Sequence, residues 1–152
     1  MRDYLNKVLG TTHPFDVYAA RRPAQEGARD VGDVHVVPFV LECKNTARPA
    51  IPAWLRQAEV EAAHAGFPFG VVVQKVRGSS AAAGRVHVSV RTWTQIRQGL
   101  GMPTDDFAGV YGWTPTVRGL VTDRWYLTTT LDAFAGLVTD YRSTMGVGRA
   151  LR

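Results

Sequence analysis

Cysteine is almost missing from this chain: Cys43 stands alone among 152 residues. A single thiol excludes an intramolecular disulfide framework and any cysteine-rich zinc site. The four histidines, His13, His35, His64 and His87, show no spacing that would let them share a metal. No apolar run reaches the roughly 18 residues of a membrane span. The opening Met1-Arg-Asp-Tyr-Leu has no apolar signal core, and there is neither an internal repeat nor a low-complexity tract. Lysine is scarce as well, three against fifteen arginines. Together with abundant Ala, Gly and Val, that imbalance is what a GC-rich coding sequence produces, so the arginines say less than the lysines. Where lysine is so seldom used, Lys44 and Lys75 ask for a reason.

What remains is the composition of a globular protein, 45% hydrophobic and 20% charged, long enough as one domain to bury about two-thirds of its unfolded surface. A cytosolic protein is the expectation. The net charge of +5 and pI of about 9.8 favour a polyanionic partner.

Residues 2–9 have helical spacing, with Tyr4, Leu5, Val8 and Leu9 apolar and Gly10 as the stop. Residues 15–20 read as a strand, and 21–29 as a basic loop whose Arg21, Arg22 and Arg29 are placed for phosphates. Residues 54–65 form a helix with Pro52 in its first turn, Gly66 at its end and a stripe of Ile51, Leu55, Ala58, Ala62 and Ala65. Gln57 flanks that stripe, and Glu59 and Glu61 are assigned to the helix surface. Residues 70–76 are a continuous apolar run, the mark of a central strand covered on both sides, with Lys75 and Arg77 at its end. Residues 85–91 alternate as a half-buried strand, 92–100 are a short helix, and 101–119 an irregular excursion. Residues 125–130 read as a strand and 131–141 as a last helix. The tryptophans are assigned to the core, with Trp54 and Trp125 on core stripes. The whole is an α/β fold, a mixed β-sheet flanked by helices, in one domain over 1–145. Its core covers about 3–78, its extension 79–142, and 146–152 form a flexible tail.

The centre of the chain is residues 30–45. Two β-branched runs, 34–37 and 40–41, meet at Pro38-Phe39. With Val37 paired to Val40 in an antiparallel hairpin, Asp33 falls opposite Lys44, and Glu42 lies two residues away on the same face. His35 shares that face, while Val34, Val36, Leu41 and Cys43 take the other. Two carboxylates and an ammonium about one point suit Mg²⁺ or Mn²⁺, which take hard oxygen ligands and leave positions for water and phosphate. A lysine there would orient water or steady the phosphate. A plain salt bridge on a half-exposed hairpin is the alternative.

Asp33…Glu42-x-Lys44, then a helix carrying Gln57 and a hydrophobic strand ending in Lys75, resembles the PD-(D/E)XK nuclease superfamily. Within it, Asp30-Val-Gly-Asp-Val…Glu42-Cys-Lys-Asn, Trp54-Leu-Arg-Gln-Ala-Glu and Val71-Val-Val-Gln-Lys-Val-Arg-Gly look like the small resolvase-like nucleases of actinobacteriophages, which are similar to archaeal-type Holliday junction resolvases. The likeness covers about residues 3–78. It implies a restriction-endonuclease-like core in which Asp33, Glu42 and the backbone carbonyl of Cys43 hold Mg²⁺. Lys44 positions the attacking water, Gln57 supports the site, and Lys75 meets the scissile phosphate or its flank. Asp30 is a weaker candidate, structural or facing DNA. It also implies a homodimer cutting a four-way junction by a metal-activated water. One departure stands out: the family usually carries a glutamate on its first helix, and aligning Asp3-Tyr4-Leu5 with that helix places it just before Met1. A nuclease acting on duplex or DNA ends, or a DNA-binding protein with a degenerate nuclease site, are the other readings.

Overall fold

The structure is a computed structural model, and it describes residues 1–11, 16–24, 30 and 32–146. The predicted α/β class holds. Among the described residues six strands, β1 (Val34–Val36), β2 (Phe39–Lys44), β3 (Phe69–Gln74), β4 (Arg85–Ser89), β5 (Thr114–Thr116) and β6 (Tyr126–Thr130), form one sheet in the order β1-β2-β3-β4-β6-β5. Only β2 and β3 run parallel, joined by a helical crossover, so the sheet is mixed. Among the described residues five α-helices flank it: α1 (Arg2–Leu9), α2 (Ile51–Ala65), α3 (Val90–Leu100), α4 (Thr104–Val110) and α5 (Leu131–Thr144). Among the described residues no helix is long and apolar enough to cross a membrane.

The pleat of β2 decides what each layer receives. Phe39, Leu41 and Cys43 face the larger core, where Phe39 packs on Phe69 and Phe134 and is joined by Leu5, Ile96, Phe107 and Leu137 from the helices. Val40, Glu42 and Lys44 face the other way, toward α2. That helix packs on the other side of the sheet, with Ile51, Leu55 and Ala58 on Val72 and Tyr126. Its ends are those expected: Pro52 sits in the first turn, and Gly66 takes φ +78°, a left-handed conformation that a residue with a Cβ adopts at a cost.

Four expectations need correction. The hairpin closes one pair earlier, Val36 opposite Phe39 and Val34 opposite Leu41, with Val37-Pro38 as its loop. A turn at Pro38-Phe39 would have exposed Phe39, which instead is fully buried at a gain of about 2–3 kcal/mol. Residues 16–20 are a turn, with only Arg21 bridging to His35. The side chain of Asn6 takes the place of a neighbouring strand, accepting from the Ala20 N–H (2.7 Å) and donating to its carbonyl (3.0 Å). The stretch 101–119 is ordered into α4, anchored by buried Phe107, and the edge strand β5, where Pro115 sits without breaking the sheet. Finally, β4 is buried on both faces. His87 is held between Thr128 Oγ1 (2.7 Å) and Gln74 Oε1 (3.0 Å), and burial, aided by the charge of Arg85, pushes its pKa down to about 4. The remaining elements lie where the sequence puts them, within a few residues. The tail beyond Gly146 lies outside the described residues.

Candidate active site

Asp33 immediately precedes β1. Its backbone N–H donates to Leu41 O (3.1 Å), the residue already opposite Val34, so the regular ladder ends here and its side chain makes the next link to β2. Oδ2 accepts from the Cys43 N–H at 2.7 Å. In the observed register Val34 stands opposite Leu41, so the expected pairing of Asp33 with Lys44 does not form. The shift is by two residues, so within β2 Glu42 and Lys44 keep their common face toward α2, while Asp33, outside the regular ladder, is tied to β2 through its bonds to Leu41 and Cys43. Glu42 is 6% exposed, and its Oε1 forms an ion pair with Lys44 Nζ at 3.1 Å. Lys44 also lies over the ring of Trp54, 5.8 Å from its centroid.

A cation between these carboxylates would have oxygen donors only. Asp33 Oδ1 makes no hydrogen bond among the described residues. The carbonyl of Lys44 turns toward β3, where it accepts from the Lys75 N–H (2.9 Å). Successive residues of a strand turn their backbone groups to opposite sides, so the N–H and C=O of Cys43 face the side of β1, where Asp33 lies. Two carboxylates and one carbonyl are too few to cage an ion, and among the described residues no three His, Cys, Asp or Glu side chains cluster to do so. The set fits Mg²⁺, which keeps several waters and binds through one or two carboxylates plus substrate phosphate. Cys43 is half-buried. Its thiol is pushed up to about 12 by burial and by the charges of Asp33 and Glu42, opposed by the terminal amine and Arg22.

The support from α2 goes further than Gln57. Gln57 Oε1 accepts from Lys44 Nζ (3.4 Å), and its Nε2 donates to Glu61 Oε1 (2.9 Å). Glu61, assigned from sequence to the helix surface, is 1% exposed. Burial, then the hydrogen bond and charge of Glu42, hold its carboxyl well above the usual carboxylate range, and only Gln57 pulls the other way. As a carboxylate its Oε2 would be buried without a partner; as a neutral acid it can donate. A signal was available: Glu61 is three residues after Ala58 and one before Ala62, inside the apolar stripe. Glu59 is also no surface residue, since its Oε1 accepts from Ser89 Oγ (2.5 Å) and Thr92 Oγ1 (3.2 Å), tying α2 to the start of α3.

A raised carboxyl pKa stabilises the fold below the unfolded value and loses that contribution as pH climbs toward the folded one. Glu61→Gln, neutral throughout, is therefore expected to melt higher than wild type at pH 8 and level with it near pH 4. The gap should be roughly 3 °C for each kcal/mol recovered. Scanning calorimetry at the two pH values checks this; a variant that melts lower at pH 8 would refute a neutral Glu61.

The structure brings some basic candidates to this site and leaves others apart. Lys75 joins Cys43, Lys44, Asn45, Ser79 and Ser80 around a cleft of 500 Å³. Arg22 is exposed and close enough for its charge to be felt at the Cys43 thiol. Arg21 instead turns its guanidinium to the Asp16 carbonyl (2.8 Å). Arg77 is exposed in the turn that ends at Gly78, and Arg29 lies outside the described residues. Asp30 is structural at its backbone and side chain, with its carbonyl against His64 Nδ1 (3.0 Å) and its Oδ1 accepting from the Gly32 N–H (3.0 Å). It also lines a cleft with Gln57 and Glu61. Asp3 offers no replacement for the first-helix glutamate. Its carboxylate is 89% exposed and paired with Arg2, although Met1 Sδ at the head of α1 lies 3.8 Å from Cys43 Sγ. Of the tryptophans, Trp93 and Trp113 are buried, Trp54 is half-buried and packs against the core under α2 as expected, and Trp125 is half-buried. Comparison with protein-family models, with curated proteins and with solved structures found no match.

Proposed function

We propose that this protein is a Mg²⁺-dependent, structure-selective endodeoxyribonuclease of the resolvase-like kind, hydrolysing a phosphodiester by in-line attack of water. The observation that carries the reading is the Asp33–Cys43–Glu42–Lys44 group, an all-oxygen donor set with one ammonium fixed beside it by both Glu42 and Gln57. When bound there, Mg²⁺ would lower the pKa of a coordinated water and offset charge on the phosphate. The chain's own residues have separate tasks. Lys44, held in place by two partners, orients the attacking water by hydrogen bonding and meets the negative charge that builds on the phosphate. Gln57 keeps that ammonium from collapsing fully onto Glu42, and Glu61 orients the amide of Gln57 so that its oxygen faces Lys44. Lys75, across the neighbouring cleft, steadies a flanking phosphate as a point charge. Cutting both strands of a four-way junction symmetrically requires two such sites, hence a homodimer.

A second reading, a DNA-binding protein with a degenerate site, is favoured by the position of Asp3, which leaves α1 without a carboxylate at the centre. Digestion of a synthetic four-way junction and a matched linear duplex, each with Mg²⁺ or EDTA, separates the two. Cleavage of the junction in Mg²⁺ alone is the expected result. Cleavage that persists in EDTA would sink the proposal, and binding without cleavage would install the second reading. Preference for the duplex or its ends would keep the chemistry and change the substrate.

A further inference from the structure

The connection between β5 and β6 is built in an unusual way. It turns at Gly119 (φ +64°), and the Trp125 indole N–H donates to the carbonyls of Arg118 (3.2 Å) and Gly119 (3.3 Å). A short 3₁₀ turn, Thr122–Arg124, closes it. This folded-back loop presents apolar side chains to solvent. Leu120 is 97% exposed, the most exposed large apolar residue among those described, and Val117 (61%) and Val121 (60%) stand beside it. Scattered exposed apolar residues are ordinary, but three within five positions on an internally bonded loop are not. Between this loop and the start of α2 lies a cleft of 540 Å³, lined by Arg56, Arg118 and Arg124 with Asp123 as the one acid. None of the three guanidiniums makes an ion pair or hydrogen bond among the described residues. The first turn of α2 adds no acidic side chain to neutralise them. Arg56 adjoins Gln57 in sequence and lines both this cleft and the one beside Glu61, so the cationic surface runs from the loop to the candidate active site.

We infer that the loop of residues 117–124 is a nucleic-acid wedge: Arg56, Arg118 and Arg124 grip the phosphates of one arm, and Leu120 enters the opened base stack at the branch. An apolar tip flanked by cations matches DNA, whose backbone is anionic and whose bases, once unstacked, offer apolar faces. A protein partner would need no such charge around its apolar contact. This inference rests on the nucleic-acid reading above and extends it to the selection of branched over linear substrate.

The test is binding in EDTA, so that cleavage does not interfere, using a four-way junction with 2-aminopurine at the branch and a linear duplex of the same sequence. Arg118→Ala/Arg124→Ala is expected to weaken binding to both DNAs on the order of tenfold and to lower the slope of log affinity against log salt by about 2. Leu120→Ser should weaken junction binding alone, on the order of tenfold, and remove the rise in 2-aminopurine fluorescence. All three side chains are exposed, so neither variant should unfold the chain. Wild-type affinity in both variants overturns the inference, as does a wild type that binds neither DNA. A Leu120→Ser variant that dissociates a dimer in sedimentation while keeping its DNA affinity overturns it too, and makes the patch an interface between copies. The two proposals fail separately. If wild type and loop variants cleave the junction equally in Mg²⁺, the nuclease stands without the wedge. If binding depends on the loop and no cleavage follows, the wedge stands without the nuclease.

Discussion

Gly70→Ala is expected to destabilise this protein by about 3 kcal/mol or more, the largest effect a single methyl group should have here. Gly70 lies on β3, under α2. A Cβ there would fall inside van der Waals distance of the Ala58 carbonyl and 2.7 Å from Glu59 N. Both are backbone atoms of a helix packed along its length, so no rotamer change relieves the clash and α2 must lift from the sheet. The movement would also carry away Gln57 and Glu61, so the variant should lose activity beyond what its folded fraction explains. Gly136, on α5, is the control: a Cβ there meets nothing within 4 Å, and Gly136→Ala should be neutral or stabilising by about 0.5–1 kcal/mol. Urea unfolding of the two variants checks both. Equal midpoints for Gly70→Ala and wild type would mean that α2 does not sit as closely on β3 as described.

That close approach was legible in part. The alanines of α2 announced a helix lying tight on a sheet, and the run at 70–76 announced a central strand, because burial on both faces leaves no alternation to hide. Local pattern also carried the ends of α1 and α2, where Gly10 and Gly66 take positive φ. What local pattern could not supply was competition between distant groups. The register of the hairpin was settled by the need of Phe39 for the aromatic cluster on α5, a contact nearly a hundred residues away in sequence. The failed strand at 16–20 was settled by Asn6, whose amide saturates Ala20 without a neighbouring strand. Residues 104–110 make only two turns of helix, too short for periodicity to register, and they are held by Phe107 rather than by propensity.

The candidate site shows the same division. Glu42 and Lys44 keep one face because residues two apart on a strand do so in any register, whereas the link of Asp33 to Cys43 depends on a side-chain bond that pattern does not announce. Glu61 was missed because a charged residue within a helical stripe is usually solvated, and only the packed structure shows α2 carrying it beneath Gly32. Its acidity is a property of that packing, and no property of the residue type announces it.

Asp33 offers the cleanest measure of whether the site performs the proposed chemistry. It is exposed, and its structural task is one hydrogen bond accepted from the Cys43 N–H. Asn at this position can accept the same bond through its amide oxygen, so Asp33→Asn removes a charge and a metal ligand while leaving that link intact. The expected result is a loss of about 10²–10³-fold in kcat on the junction, with stability within about 0.5 kcal/mol of wild type and affinity for the junction in EDTA unchanged. Lys44→Ala should lose activity to a similar extent but should not leave the fold untouched. It strips the ammonium from Glu42, a carboxylate 6% exposed that already shares its surroundings with Glu61. An uncompensated buried carboxylate costs several times a surface pair, so Lys44→Ala should unfold at lower urea than Asp33→Asn. Two variants with equal loss of cleavage and unequal loss of stability would mark Asp33 as a chemical residue and Lys44 as both chemical and structural. Full cleavage by Asp33→Asn in Mg²⁺ would show that the carboxylates at the end of the hairpin are a salt-bridge network, and the nuclease reading would fall with it.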